Sequence, residues 1–222
     1  NIVKIFNSKL VDGLVILDIN ASKNNCEPNY TKLAQIATES FIPASYGGGI
    51  NSLECASKIL NLGFEKVILN SFSLKPNLIK DISNKFGASS TVVCVDYKKN
   101  FFKGYSVVNS LNSNNIKNDM LSYCKDLQDQ GAGELILQSI DRDGTYLGYD
   151  TEFINILSSK LDIPLIVAGG ASNISDFIVA ANAGASAVAA GSMFVFKGVH
   201  RAVLISYPSR KELIENFYEK IK

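Results

Sequence analysis

Ile42–Ser71 reads IPASYGGGINSLECASKILNLGFEKVILNS, and Ile163–Ser192 reads IPLIVAGGASNISDFIVAANAGASAVAAGS. Laid over each other at a fixed offset of 121 residues, without a gap, they share Ile42/Ile163, Pro43/Pro164, Gly48/Gly169, Gly49/Gly170, Asn61/Asn182, Gly63/Gly184, Val67/Val188 and Ser71/Ser192. Solenoid units repeat about every 20 to 50 residues, so an offset this long marks two half-domains rather than a stack of small repeats. The register continues upstream, where Leu14-Val15-Ile16-Leu17-Asp18-Ile19 lies over Leu135-Ile136-Leu137-Gln138-Ser139-Ile140, each an apolar run ahead of a polar turn. Each half therefore predicts strand, helix, strand, helix, strand in the same order.

Short apolar runs alternate with segments of helical period along the whole chain, the pattern of parallel strands covered by helices. Strands are predicted at 14–19, 41–46, 66–70, 91–96, 134–140, 163–168 and 186–190, and helices at 2–10, 29–39, 52–62, 76–86, 117–130, 150–161, 173–183 and 209–221. Applied to the strand Thr91–Asp96, the offset puts its counterpart ahead of residue 1. The repeat thus predicts a further strand and loop, about 25 to 30 residues, upstream of the chain. With that strand counted, the expectation is a (β/α)8 TIM barrel built from two half-barrel repeats, with 1–222 as one barrel domain whose first strand is absent. A doubly wound open sheet is the alternative, but two equal halves close on each other whereas an open sheet leaves unequal edges.

A chain of 222 residues suffices for one such domain. A formal net charge of +1 without a basic cluster gives no electrostatic footprint for nucleic acid. No apolar run approaches a membrane span and no signal peptide opens the sequence, which points to the cytoplasm. Cys26, Cys55, Cys94 and Cys124 form no CxxC pair, and His200 stands alone, so neither a metal nor a disulfide framework is expected. No cofactor motif is present. The connection from Lys98 to Asn115 is unusually long and reads as a small hairpin after Thr91–Asp96, placed where it could cover an active site.

In a parallel barrel the working face lies at the C-terminal ends of the strands. The residues there form a consistent set: Gly47-Gly48-Gly49 after 41–46, Asn70-Ser71 closing 66–70, Gly169-Gly170 after 163–168, and Gly191-Ser192 after 186–190. Glycines let backbone N–H groups approach an anion, and the next helix turns its N-terminus to the same point. Each half thus offers a phosphate cradle, which suits a substrate phosphorylated at both ends. Between the cradles fall Asp18, Asp96, Asp141 and Asp143, candidate general acids or bases. Helix capping or pairing with Arg142 and nearby lysines is their structural alternative, least so for Asp96, which ends a wholly apolar strand. Lys66 and Glu134 sit at strand beginnings, a rim that ordinarily reads as stability.

SIDRDGT with GYD (Ser139–Thr145, then Gly148–Asp150), GAGE at 131–134, YGGGI at 46–50, LDI at 17–19 and VAGGAS at 167–172 together resemble the cyclase subunit of imidazole glycerol phosphate synthase over essentially the whole chain. The resemblance implies a (β/α)8 barrel and a lyase-type cyclase within a glutamine amidotransferase complex of histidine biosynthesis. A glutaminase subunit would dock at the N-terminal barrel face as a heterodimer. Its ammonia would pass through the barrel to imidazole ring closure on a bis-phosphorylated ribulosyl aminoimidazole carboxamide. Asp96 matches the family's second catalytic aspartate, the first falling in the upstream strand. Gly49, Asn70, Ser71, Gly144, Gly170, Gly191 and Ser192 match phosphate-binding positions, and Lys66 and Glu134 match gate residues at the ammonia entrance.

There are departures from the family pattern. Gln138 replaces a usual hydroxyl residue, Ala168 a usual serine, and a gate glutamate is replaced around Asp12-Gly13. Tyr46 and the segment Phe194–Ile205 resemble a paralogous branch that supplies ammonia to turn an acetamido group into an acetamidino group on a surface sugar, which leaves that role, with or without chemistry of its own, as the alternative. Changed side chains around retained glycines are what a changed substrate would produce. A phosphate-binding sugar isomerase of the same architecture is a third reading, and would leave Lys66 and Glu134 without a purpose.

Overall fold

The computed structural model describes residues 2–70, 75–100, 104–109, 114–117, 119–198 and 200–221. The elements run α1 (Ile2–Ser8), β1 (Leu14–Leu17), α2 (Ile19–Lys23), α3 (Tyr30–Glu39), β2 (Ala44–Gly47), α4 (Leu53–Asn61), β3 (Lys66–Asn70), α5 (Leu78–Phe86), β4 (Thr91–Asn100), β5 (Gly104–Asn109), β6 (Asn114–Lys117) and α6 (Met120–Asp129). They continue with β7 (Glu134–Ser139), α7 (Thr151–Ser158), β8 (Leu165–Ala168), α8 (Ile174–Asn182), β9 (Ala187–Ala189), α9 (Ser192–Val195), β10 (Phe196–Lys197), β11 (Ala202–Val203) and α10 (Arg210–Asn216). The alternation is that of a (β/α)8 barrel, with β1, β2, β3, β4, β7, β8 and β9 as the parallel strands. The chain forms two compact units, Asn1–Cys94 with Asp126–Glu134, and Val95–Lys125 with Leu135–Lys222.

In the first unit β1, β2, β3 and β4 pair in parallel, with registers Leu14↔Ala44, Ser45↔Lys66 and Val67↔Thr91. Val67, Ile68, Leu69, Val92 and Val93 are all buried, as strands covered on both faces require. Gly133 explains part of GAGE: its N–H donates to the Thr91 carbonyl at 2.9 Å, and a Cβ there would meet the Ala88 carbonyl oxygen at 2.1 Å. In the second unit β7, β8 and β9 pair in parallel through Leu135↔Leu165 and Ile166↔Ala187, and Leu135, Leu137, Leu165 and Val167 form the core with Phe153, Ile154 and Leu157 of α7.

The sequence repeat is reproduced bond by bond. Leu14 N–H donates to Pro43 O at 2.8 Å, and Leu135 N–H to Pro164 O at 3.0 Å. Glu65 N–H donates to Ala44 O at 2.9 Å, and Ser186 N–H to Leu165 O at 2.8 Å. Ser52 caps α4 and Asn173 caps α8. In every pair the second member lies 121 residues after the first.

Several features differ from the expectation, among them the short helices α2 and α9, which fall where no helix is expected. β4 runs on to Asn100 because its end pairs antiparallel with β5, Tyr97↔Val107 through Asn100↔Gly104, forming the hairpin. That hairpin is fastened through its cross-strand pair Lys99↔Tyr105: Tyr105 stacks on Phe153 at 4.0 Å, its hydroxyl reaches Asp150 Oδ1 at 3.1 Å, and Lys99 pairs with Glu152 at 2.7 Å. The C-terminal helix is broken after Asn216, with a 3-10 turn at Tyr218–Lys220. A small hairpin, β10 with β11, follows α9.

Among the described residues no helix is long and apolar enough to cross a membrane. No disulfide is found among the described cysteines, of which Cys26 is exposed and Cys55, Cys94 and Cys124 are buried. Burial pushes the Cys55 thiol up and the Cys124 thiol up to about 12, which removes the thiolate that reacts. At pH 8 a chromogenic disulfide reagent is therefore expected to titrate one thiol, Cys26, in the native protein and four in denaturant. Rapid native labelling of a second cysteine would contradict this burial.

Candidate functional site

At the ends of β1 and β7 the backbone carbonyls decide what can follow β2 and β8. A Cβ on Gly48 would lie 2.5 Å from the Asp18 carbonyl oxygen, and one on Gly169 would lie 2.6 Å from the Ser139 carbonyl oxygen. Asp18 and Ser139 are again 121 residues apart. Both glycines have positive φ, +133° and +93°. Sterics and backbone conformation thus demand glycine at the two places where the sequence suggests phosphate cradles.

In the first unit Gly49, Asn70, Gly48, Ser22, Asn25 and Lys75 line a cavity of about 110 Å3. Gly49 and Asn70 are therefore brought together; Ser71 lies outside the described residues. Tyr46 does not line this cavity. It is 1% exposed, packs on Phe64 at 5.9 Å, and burial, with the Asp18 carboxylate next in effect, holds its phenol protonated. Lys75 was passed over by sequence reading, which attended to strand-end glycines and carboxylates and not to the approach to α5.

In the second unit SIDRDGT and GYD are tied into one scaffold. The Arg142 guanidinium donates to the carbonyls of Leu147 (3.1 Å) and Gly148 (3.2 Å), Gly148 N–H donates to Gly170 O (2.8 Å), and the Tyr149 hydroxyl donates to Ala189 O (2.8 Å). Asp150, buried, accepts the Phe153 N–H at 3.3 Å and so caps α7. Gly144 and Ser192 are neighbours: a Cβ on Gly144 would lie 3.7 Å from Ser192 Oγ. Gly191 is the N-cap of α9, with nothing within 4 Å of its Cβ position. Arg201 of the β10–β11 hairpin donates to Gly144 O at 2.8 Å and lies over the Tyr146 ring at 5.6 Å, a long-range latch without any local sequence signal. A more open hollow of about 930 Å3 lies against Tyr146, Asn173 and Phe194, yet none of the candidate site residues lines it. Size alone would misdirect the eye.

The carboxylates separate by environment. Asp18 accepts the Ala21 N–H at 2.9 Å and caps α2, and Asp141 accepts the Lys99 N–H at 2.8 Å. Asp143 is exposed, its own N–H donating to Ser139 O at 3.0 Å within the turn. Asp96 is 5% exposed on β4, the most buried of the four.

The sequence matches the family described as "Histidine biosynthesis protein" over residues 1–200. The chain belongs to that family. Two similar proteins bear the name "Putative imidazole glycerol phosphate synthase subunit": hisF2 of Pseudomonas aeruginosa, 46% identical over 96% of this chain and 86% of its own length, and HisF of Leptospira borgpetersenii, 42% identical over 94% and 84%. Imidazole glycerol phosphate synthase subunit HisF of Campylobacter concisus is 38% identical over 93% of this chain and 82% of its own length.

Within this member of the family, Lys66 at the start of β3 and Glu134 at the start of β7 form a close ion pair through Glu134 Oε1. Both side chains are largely shielded, 28% and 16% exposed, and Glu134 Oε2 is buried without a hydrogen-bond partner among the described residues. A pair in such surroundings is costly to break from one side, because the remaining charge loses its partner. Lys66→Met is expected to destabilise the fold by about 1 to 3 kcal/mol, and Lys66→Met with Glu134→Leu to recover most of that loss. Urea unfolding of the single and double variants checks it, and strict additivity would show that the pair is not coupled. By the same measurement Gly48→Ala and Gly169→Ala should each cost about 2 to 4 kcal/mol, whereas Gly191→Ala, with open space at its Cβ, should cost under about 1 kcal/mol.

Proposed function

We propose that this chain is the cyclase subunit of a glutamine amidotransferase complex of the imidazole glycerol phosphate synthase type. It takes ammonia from a glutaminase subunit and uses it in imidazole ring closure on a bis-phosphorylated ribulosyl aminoimidazole carboxamide. The observation that carries this reading is the duplicated cradle. In each unit a glycine, Gly48 or Gly169, is forced by a carbonyl 121 residues from its counterpart. The glycine that follows, Gly49 or Gly170, then presents bare backbone. One phosphate per cradle matches a substrate phosphorylated at both ends.

Asp96 is the residue assigned to proton transfer. It is a buried carboxylate on β4, two residues beyond the last parallel pairing Asn70↔Cys94 and so toward the C-terminal ends of the parallel strands, where a barrel carries its chemistry. Asp143, exposed in the loop after β7, is the secondary candidate. Lys66 and Glu134 are assigned to ammonia entry: the pair sits at strand beginnings and must part or shift to admit a small neutral amine. Family membership supports the same assignment.

A second reading, ammonia delivery for acetamido-to-acetamidino conversion on a sugar, is favoured by one observation. Gln138 Nε2 lies 3.4 Å from the Cβ position of Gly169, so the side chain that departs from the family pattern faces the second cradle.

The deciding experiment supplies ammonium salt in place of the glutaminase and follows turnover of the bis-phosphorylated precursor. Turnover by the unsubstituted protein, with Asp96→Asn lowering kcat by at least about 100-fold, is the expected outcome. Undiminished kcat in Asp96→Asn would remove that residue from the chemistry. A folded protein that never turns over verified precursor would transfer the assignment to the sugar reading.

A further inference from the structure

Lys75 stands out among the residues around the first cradle. Of the described residues lining the 110 Å3 cavity it alone carries a charge, the others being glycines, Ala21, Ser22, two isoleucines and asparagines. It belongs to none of the ion pairs found among the described residues, unlike Lys4, Lys58, Lys66, Lys99 and Lys211. Its backbone is held, since the Lys75 carbonyl accepts the Leu78 N–H at 3.2 Å where the chain enters α5.

The second unit treats the equivalent problem differently. The residue 121 positions after Lys75 is Phe196. The two arginines near that cradle are already engaged with backbone carbonyls, Arg142 with Leu147 and Gly148, Arg201 with Gly144. The backbone lock is duplicated and the lysine is not.

We propose that Lys75 is the phosphate-binding cation of the first cradle, where it adds a charged donor for one of the substrate's two phosphomonoester ends; the second cradle has no lysine at the equivalent position. This rests on the phosphate reading of the two cradles. A mobile ammonium at a cavity rim adds a charge-assisted hydrogen bond that amides and hydroxyls lack, and its contribution weakens with salt.

The test titrates inorganic phosphate into isotopically labelled protein and follows the amide resonances of Gly48 and Gly49 separately from those of Gly169 and Gly170. Lys75→Met should weaken binding at Gly48/Gly49 about tenfold, Lys75→Arg should restore most of it, and the affinity at Gly169/Gly170 should not change. Raising ionic strength should weaken phosphate binding at Gly48/Gly49 more in the unsubstituted protein than in Lys75→Met. Phosphate that binds Lys75→Met at Gly48/Gly49 as tightly as the unsubstituted protein would overturn the assignment of Lys75 and leave the cradles standing. Phosphate that shifts neither glycine pair in the unsubstituted protein would overturn the cradle reading and the lysine assignment together. Superimposable spectra of the variants before titration exclude misfolding as the cause.

Discussion

Two backbone carbonyls, those of Asp18 and Ser139, fill the space that a side chain after β2 or β8 would need. The architecture of both candidate cradles depends on that exclusion. Because only hydrogen fits there, the chain leaves each strand with positive φ, bare backbone lines the strand end, and the following helix starts close by, capped by Ser52 in one half and Asn173 in the other. The inter-strand bonds that set those carbonyls in place, Leu14 to Pro43 and Leu135 to Pro164, follow the same 121-residue rule. Cradle geometry and strand register are one constraint seen at two scales.

That is why so much of the fold was legible. A steric requirement for glycine leaves an unmistakable residue at a fixed spacing, and buried parallel strands leave apolar runs such as Val67–Leu69 and Leu135–Leu137. Carboxylates were less legible. Asp18 and Asp96 both close an apolar run, yet Asp18 caps α2, a helix of five residues too short to show a helical period, while Asp96 continues into a strand that turns back as a hairpin. Whether a strand-end aspartate is a cap depends on what the backbone does one residue later, and that is settled by tertiary pairing.

Long-range latches were invisible for the same reason. Arg201 and Gly144 are 57 residues apart, and two-residue strands like β10 and β11 carry no period at all. The DRDGT and GYD motifs, recognisable as strings, acquire physical reasons in the folded chain. Arg142 holds the carbonyls of Leu147 and Gly148, Gly148 meets Gly170, and Asp150 opens α7. The spacing within those motifs is the spacing needed for one loop to brace the cradle behind it.

Asp150 also serves two masters. Its Oδ1 accepts the N–H that starts α7 and the hydroxyl of Tyr105 from the β4–β5 hairpin, 45 residues earlier in the chain. The hairpin can zip locally through Tyr97↔Val107, but its docking must wait until α7 exists to supply the carboxylate and the face of Phe153. In entropic terms this one carboxylate closes a loop of 45 residues, so the order of the hairpin and the start of α7 are tied to the same atom.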